Sequence, residues 1–179
     1  MEREILFTGI GGQGIQLMTR VLANATAREG GYAMVFGVYH GAMRGSPSDT
    51  TLVLGSDPIE APPIVPSCWS VVAMHPASLP PLLAKLRPGG LFFANEPLVD
   101  GTTPAGTTRI AVPATRLAER EGNLMGAGMI MLGAFVAHTT IVALDAVVAA
   151  MRAALPAHRA RMADANERLL RLGAGHGGR

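Results

Sequence analysis

Glu4-Ile5-Leu6-Phe7-Thr8-Gly9-Ile10-Gly11-Gly12-Gln13-Gly14 is the stretch that decides the fold. The apolar run Ile5-Leu6-Phe7 ends in glycines and reads as a buried strand. From Gln13 to Glu29 the apolar positions Ile15, Met18, Val21, Leu22 and Ala25 recur at helical spacing and share one face, which predicts an amphipathic helix. Gly30-Gly31 is placed to end it. Gly9 to Gly14 fits G-x-G-x-x-G between a strand and a helix. In that context the glycines permit a tight turn and a close approach of phosphate to backbone. The helix N-terminus then offers free N–H groups and a partial positive charge.

Working outward, further strands are expected at Tyr32 to Phe36, Thr50 to Leu54, Ser70 to Met74, Leu91 to Ala94 and Thr108 to Val112. A helix is expected from Pro76 to Leu86, stopped by Pro88-Gly89-Gly90, and the chain from Thr115 onward reads as mostly helical. Strands alternating with helices imply βα units. The expected fold is therefore α/β: a Rossmann-like, mainly parallel sheet with helices on both faces and a helical C-terminal tail. In that tail Leu144, Val147, Val148, Met151 and Leu155 are in register to pack on the sheet or on a partner subunit. Leu124 to Leu144 carries no charge, yet its glycines and the His138-Thr139-Thr140 break read as a core helix followed by a turn, not a membrane span.

Composition narrows the function classes. A chain of 179 residues supports one domain with a real core. The net charge of +2 comes from interleaved Arg and acids, with Lys85 the lone lysine and no basic run carrying aromatics. Nucleic-acid binding is not expected. One cysteine, Cys68, cannot hold an iron–sulfur cluster, a cysteine zinc site or an internal disulfide. It reads as a buried structural thiol, and the usage fits a reducing cytoplasm. The five histidines show no metal spacing; His75 is placed to face the crevice beyond the strands, and His138 reads as a core histidine.

Two loops carry the candidate chemistry. A dinucleotide site would need, besides the glycine turn, an acid about 20 residues on to hold a ribose hydroxyl. That region reads Val35-Phe36-Gly37-Val38-Tyr39-His40 and has none. The glycines then serve either close helix–strand packing or the phosphate tail of another cofactor. The second loop, Tyr39-His40-Gly41-Ala42-Met43-Arg44-Gly45-Ser46-Pro47, follows the second strand and should lie beside the glycine turn. Arg44 there either clamps a phosphate or carboxylate, or pairs with an acid on a neighbouring subunit. The candidate cofactor-binding residues are Gly9, Gly11, Gly12, Gln13, Gly14, His40, Arg44, Gly45 and Ser46, with no catalytic residue and no metal ligand assigned.

In combination these loops resemble a known family. Gly9-x-Gly-Gly-Gln-Gly14, a helix containing Leu22-Ala23, Met43-Arg44-Gly45 and Met129-Ile130-Met131-Leu132-Gly133-Ala134 follow the order and spacing of the gamma subunit of 2-oxoacid:ferredoxin oxidoreductases, and Leu144 to Leu172 resembles its closing helices. Here Ser46 replaces the last glycine of the family's R-G-G, and Gly128 stands where Asn is frequent. The resemblance implies a single gamma-type domain over 1–179, with a sheet core at 1–113 and a helical part at 114–179. It implies a non-catalytic role in a cytoplasmic complex with alpha, beta and ferredoxin-like delta-type subunits. In such complexes thiamine diphosphate with Mg2+ on a partner chain attacks a 2-oxoacid, carbon dioxide leaves, electrons pass to 4Fe-4S clusters, and the acyl group goes to coenzyme A. The resemblance also implies that this chain alone holds no cofactor, and that its glycine loop and Arg44 face coenzyme A or the inter-subunit cleft. The alternative is a stand-alone nucleotide- or NAD(P)-binding module.

Overall fold

The structure, a computed structural model, describes residues 2–39, 45–60, 64–100 and 103–177. The first strand, β1 (Glu2–Ile10), runs into the glycine turn and then α1 (Ile15–Arg28). The five apolar positions singled out on α1 are each at most 2% exposed, so the helical periodicity reports the buried face directly. Glu29, Gly30 and Gly31 donate their N–H groups to the last α1 carbonyls, and Gly30 takes φ 83°, a conformation open to glycine.

Next come β2 (Tyr32–Tyr39), β3 (Pro47–Gly55), β4 (Cys68–Ala73), α2 (Leu79–Leu83), β5 (Leu86–Asn95) and β6 (Thr108–Val112). They form one six-stranded sheet in the order β2-β3-β1-β4-β5-β6. The pairs β1–β4, β4–β5 and β5–β6 are parallel. The exception is β3, which runs antiparallel to both β1 and β2. It folds back from β2 and inserts between β2 and β1. The sheet is therefore mainly parallel, with one reversed strand that the residue pattern could not distinguish from a parallel one.

The predicted helix Pro76 to Leu86 contracts to Leu79–Leu83. The reason lies in the following glycines. Pro88-Gly89-Gly90 does not stop a helix but sits inside β5, where pairing with β4 shifts register between Leu86 and Leu91. Gly89 has φ 77°, and a side chain on Gly90 would strike the Trp69 carbonyl. Strand and bulge together use the residues assigned to the helix end.

The last elements are α3 (Ala114–Arg120), α4 (Ala127–Thr139), α5 (Leu144–Ala154) and α6 (Ala163–Ala174). As expected for a core helix, α4 is buried from Ala127 to Val136. Phe135 packs against Phe7, Phe93 and Trp69, with ring centroids 6.2, 5.0 and 6.2 Å away. Each of the three buried phenylalanines contributes about 1.5–3 kcal/mol. Thr140 enters the left-handed region at φ 50° and ends the helix at the His-Thr-Thr break. Among the described residues no helix is long and apolar enough to cross a membrane.

The two sheet faces are covered unequally. One is roofed by α1 and α4, with the other C-terminal helices joined to the same core. Over the other lie the short α2 and irregular segments, around Leu6, Val53, Val71 and Phe92. The Leu144 register is used against α1, not against the sheet, and the Glu29 carboxylate caps α5 by accepting from the Ala143 N–H at 2.9 Å. Glycine sets the α4–α6 crossing. A Cβ on Gly133 would fall on the Leu170 carbonyl, and one on Gly173 would fall on the Ile130 carbonyl. Gly133 belongs to the M-x-M-L-G-A stretch, so that motif acts here as a helix-crossing device. Cys68 is fully buried, and burial, its largest influence, pushes the thiol up to about 12, as suits an inert structural thiol.

Candidate functional site at the carboxyl ends of the strands

The turn from Gly9 to Gly14 sits where β1 meets α1, at the carboxyl end of the parallel strands, which is where open α/β sheets place ligands. Gln13 organises it. Its Oε1 accepts from the Ile10 N–H at 3.0 Å, and its Nε2 donates to the Met74 carbonyl at 3.3 Å, just beyond β4. The Asn95 amide donates to the same Met74 carbonyl at 3.1 Å and to the Thr115 Oγ1 at 2.8 Å, while the Thr115 N–H donates back to Asn95 at 3.0 Å. Gln13 and Asn95, meeting on the Met74 carbonyl, thereby join the ends of β1, β4 and β5 and the start of α3. Asn95 and Thr115 were not singled out in the sequence; Asn95 ends a strand, but the partners that give it meaning are distant in the chain.

The glycines divide into two kinds. Gly9 and Gly11 are required by close packing: a Cβ on Gly9 would meet Gln13 Oε1 at 2.7 Å, and one on Gly11 would meet the Gly45 nitrogen at 3.2 Å. Gly12 and Gly14 are required by conformation, with φ 101° and 77°, and face open space where a Cβ would have no neighbour within 4 Å. Gly14 is the N-cap of α1, and no side chain caps that end. The first-turn N–H groups of a 14-residue helix are therefore presented beside two glycines with room in front of them.

The end of the second loop, Gly45 and Ser46, is brought to the same place. The Gly11 N–H donates to the Ser46 carbonyl at 3.0 Å, and Gly45 packs against Gly11 with φ 85°. This union follows from β3. Its insertion beside β1 brings Gly45 and Ser46, just ahead of β3, back to the glycine turn. The Thr8 hydroxyl reinforces it by donating to Asp49 Oδ1 at 2.7 Å. His40 and Arg44 lie outside the described residues. His75 follows β4, but its Nδ1 turns back to accept from the Ala77 N–H at 3.3 Å. His138 is satisfied in the core margin, with Nδ1 2.8 Å from the Gly177 carbonyl and its ring edge-on to Phe93.

The same topology separates this site from a dinucleotide fold. There the second strand lies next to the first, and its end carries the acid that holds ribose. Here β3 intervenes, so β2 lies two strand spacings, about 10 Å, from β1 instead of one.

Comparison with known proteins agrees with this architecture. Residues 4–175 match the family described as pyruvate ferredoxin/flavodoxin oxidoreductase. The 2-oxoglutarate synthase subunit KorC of Methanothermobacter marburgensis is 30% identical over 164 residues, spanning 87% of this chain and 88% of that one. Among solved structures, pyruvate oxidoreductase subunit PORC from Thermotoga maritima superposes with a TM-score of 0.80 at 28% identity, over 98% of this chain and 96% of that one. The gamma subunit of a keto/oxoacid ferredoxin oxidoreductase from Geobacter sulfurreducens gives a TM-score of 0.82 at 23% identity, over 99% and 97% of the two chains. The match to the family over residues 4–175, with the gamma-type relatives and the shared fold over nearly the whole length, leads to one conclusion: the chain belongs to the pyruvate ferredoxin/flavodoxin oxidoreductase family, as a protein of the gamma-subunit type.

Proposed function

We propose that this chain, as a single gamma-type domain, works inside a multi-subunit 2-oxoacid:acceptor oxidoreductase of the cytoplasm, supplies no complete active site, and flanks the place where coenzyme A enters. The observation that carries this reading is the meeting of Gly45 and Ser46 with the glycine turn that leads into the open N-terminus of α1. The coenzyme supplies the thiol that accepts the acyl group. This chain's residues would receive its diphosphate: first-turn N–H groups of α1, the open side of Gly12 and Gly14, and the Arg44 guanidinium. Gln13 ties the turn to the Met74 carbonyl, which Asn95 also holds, so little reorganisation of the turn accompanies binding.

In this proposal the other cofactors of such complexes are held by partner chains. Among the described residues no three His, Cys, Asp or Glu side chains gather to hold a metal, and the one thiol is buried and protonated. Thiamine diphosphate with Mg2+ and the 4Fe-4S clusters are assigned in this proposal to alpha, beta and delta-type partner subunits, and nucleic acid and membrane have no part in it.

The test is Arg44→Ala in the assembled complex. The expected result is a rise of about tenfold in the KM for coenzyme A, near the 1.4 kcal/mol of one charge-assisted contact, with the KM for the 2-oxoacid unchanged. An unchanged KM for coenzyme A removes Arg44 from the site.

A further inference from the structure

The two edges of the sheet are built differently. At one edge β6 is five residues long and carries Arg109, which is tied to Glu96 at 3.1 Å and to the Val99 carbonyl at 2.9 Å. At the other edge β2 is eight residues long, Tyr32-Ala33-Met34-Val35-Phe36-Gly37-Val38-Tyr39, and has neither a charge nor a proline. Soluble proteins ordinarily blunt a free edge with short strands, lysines or prolines, because its unpaired N–H and C=O groups invite another strand. β2 has none of these devices. It also exposes apolar side chains on both faces: Val35 is 48% exposed on the α1 side, and Tyr32 and Phe36 are 46% and 37% exposed on the other.

We infer that β2 is an interface, and that its occupant is β2 of a second copy of this chain, paired antiparallel about a two-fold axis. Three features favour self-pairing. A strand without charge meets no like-charge repulsion when it faces itself. With Val35 on the axis, Met34 lies opposite Phe36 and Ala33 opposite Gly37, so each apolar residue finds an apolar or small one. The third feature is α1, which packs chiefly over β2 and β3 and leaves a groove of about 500 Å³ along its outer flank. That flank presents Arg20, Ala23, Asn24 and Ala27, and the groove floor is Ala33, Val35 and Gly37. A two-fold axis normal to the sheet keeps both α1 helices on the same face. Their axes then fall about two strand spacings apart, near the 8–10 Å of packed helices. Each groove is thus filled by the other copy's helix, and two six-stranded sheets become one.

This inference does not depend on the proposed function: a chain that dimerises through β2 without joining any oxidoreductase would satisfy it. The experiment is the solution mass of the purified full chain by light scattering across micromolar concentrations. The expected result is twice the 18.6 kDa of one chain. Val35→Lys, at an exposed position, should halve that mass with the far-ultraviolet dichroism unchanged. Ala111→Lys, exposed on the opposite edge strand β6, should leave the dimer intact. A wild-type chain that stays monomeric overturns the inference. So does a dimer indifferent to Val35→Lys. A chain that is monomeric alone but uses β2 to join other subunits assigns the edge to a different partner and equally overturns self-pairing.

Discussion

Alanine at Gly133 or at Gly173 is expected to destabilise the chain by about 3 kcal/mol or more, at the upper end of overpacking effects. Each added methyl group would fall on a main-chain carbonyl of the opposite helix, Leu170 for Gly133 and Ile130 for Gly173. A carbonyl in a helix cannot swing aside as a side-chain end can, so α4 and α6 must move apart. α4 has ten consecutive buried residues from Ala127 to Val136, and its displacement also disturbs Phe135 and the sheet beneath. Alanine ordinarily favours a helix over glycine by about 1 kcal/mol, and here that gain is outweighed. A drop of about 6–12 °C in Tm follows for a chain of this size. Gly175→Ala is the matched control, since its Cβ would meet only ordinary contacts at 3.4 and 4.0 Å. Thermal melts of the three variants decide the matter: if Gly133→Ala and Gly173→Ala melt with the wild type, the close crossing is not a feature of the protein.

Valine at Gly14 is expected to raise the KM for coenzyme A in the assembled complex by about tenfold or more. Gly14 sits at φ 77° as the uncapped N-terminus of α1. A β-branched residue there is strained by about 1–3 kcal/mol and stands over the N–H groups that the diphosphate would use. Strain alone does not predict a coenzyme effect. Gly30→Val separates the two, because Gly30 has φ 83° at the other end of the same helix. Both variants should lose similar stability, while only Gly14→Val should change the coenzyme KM. Equal KM effects from both would reduce the glycine turn to a folding element.

Local patterns in the chain foretold what local physics controls. Ile15, Met18, Val21, Leu22 and Ala25 fixed the buried face of α1, and the five residues Thr108 to Val112 form the expected strand with both ends in place. The direction of β3 was not legible, because a short apolar run has the same alternation whether its neighbour is parallel or antiparallel. That direction matters most for function: it alone carries Gly45 and Ser46 back to Gly11 and sets β2 at an unprotected edge. Gln13 is a motif residue in the sequence, but its work as a cross-tie to the Met74 carbonyl, which Asn95 also holds, depends on a partner 61 positions away along the chain. Gly89 and Gly90 misled for the opposite reason. Glycines after a helical run usually stop it, whereas these two serve a bulge whose demand comes from Trp69 on the neighbouring strand.

The account is tested most directly by purifying the tagged chain from its native host and identifying what accompanies it. The expected result is co-purification with chains carrying thiamine diphosphate and iron–sulfur clusters, and 2-oxoacid- and coenzyme A-dependent dye reduction by that material. Recovery of a partner-free protein that binds NAD(P) or another nucleotide by itself would contradict it.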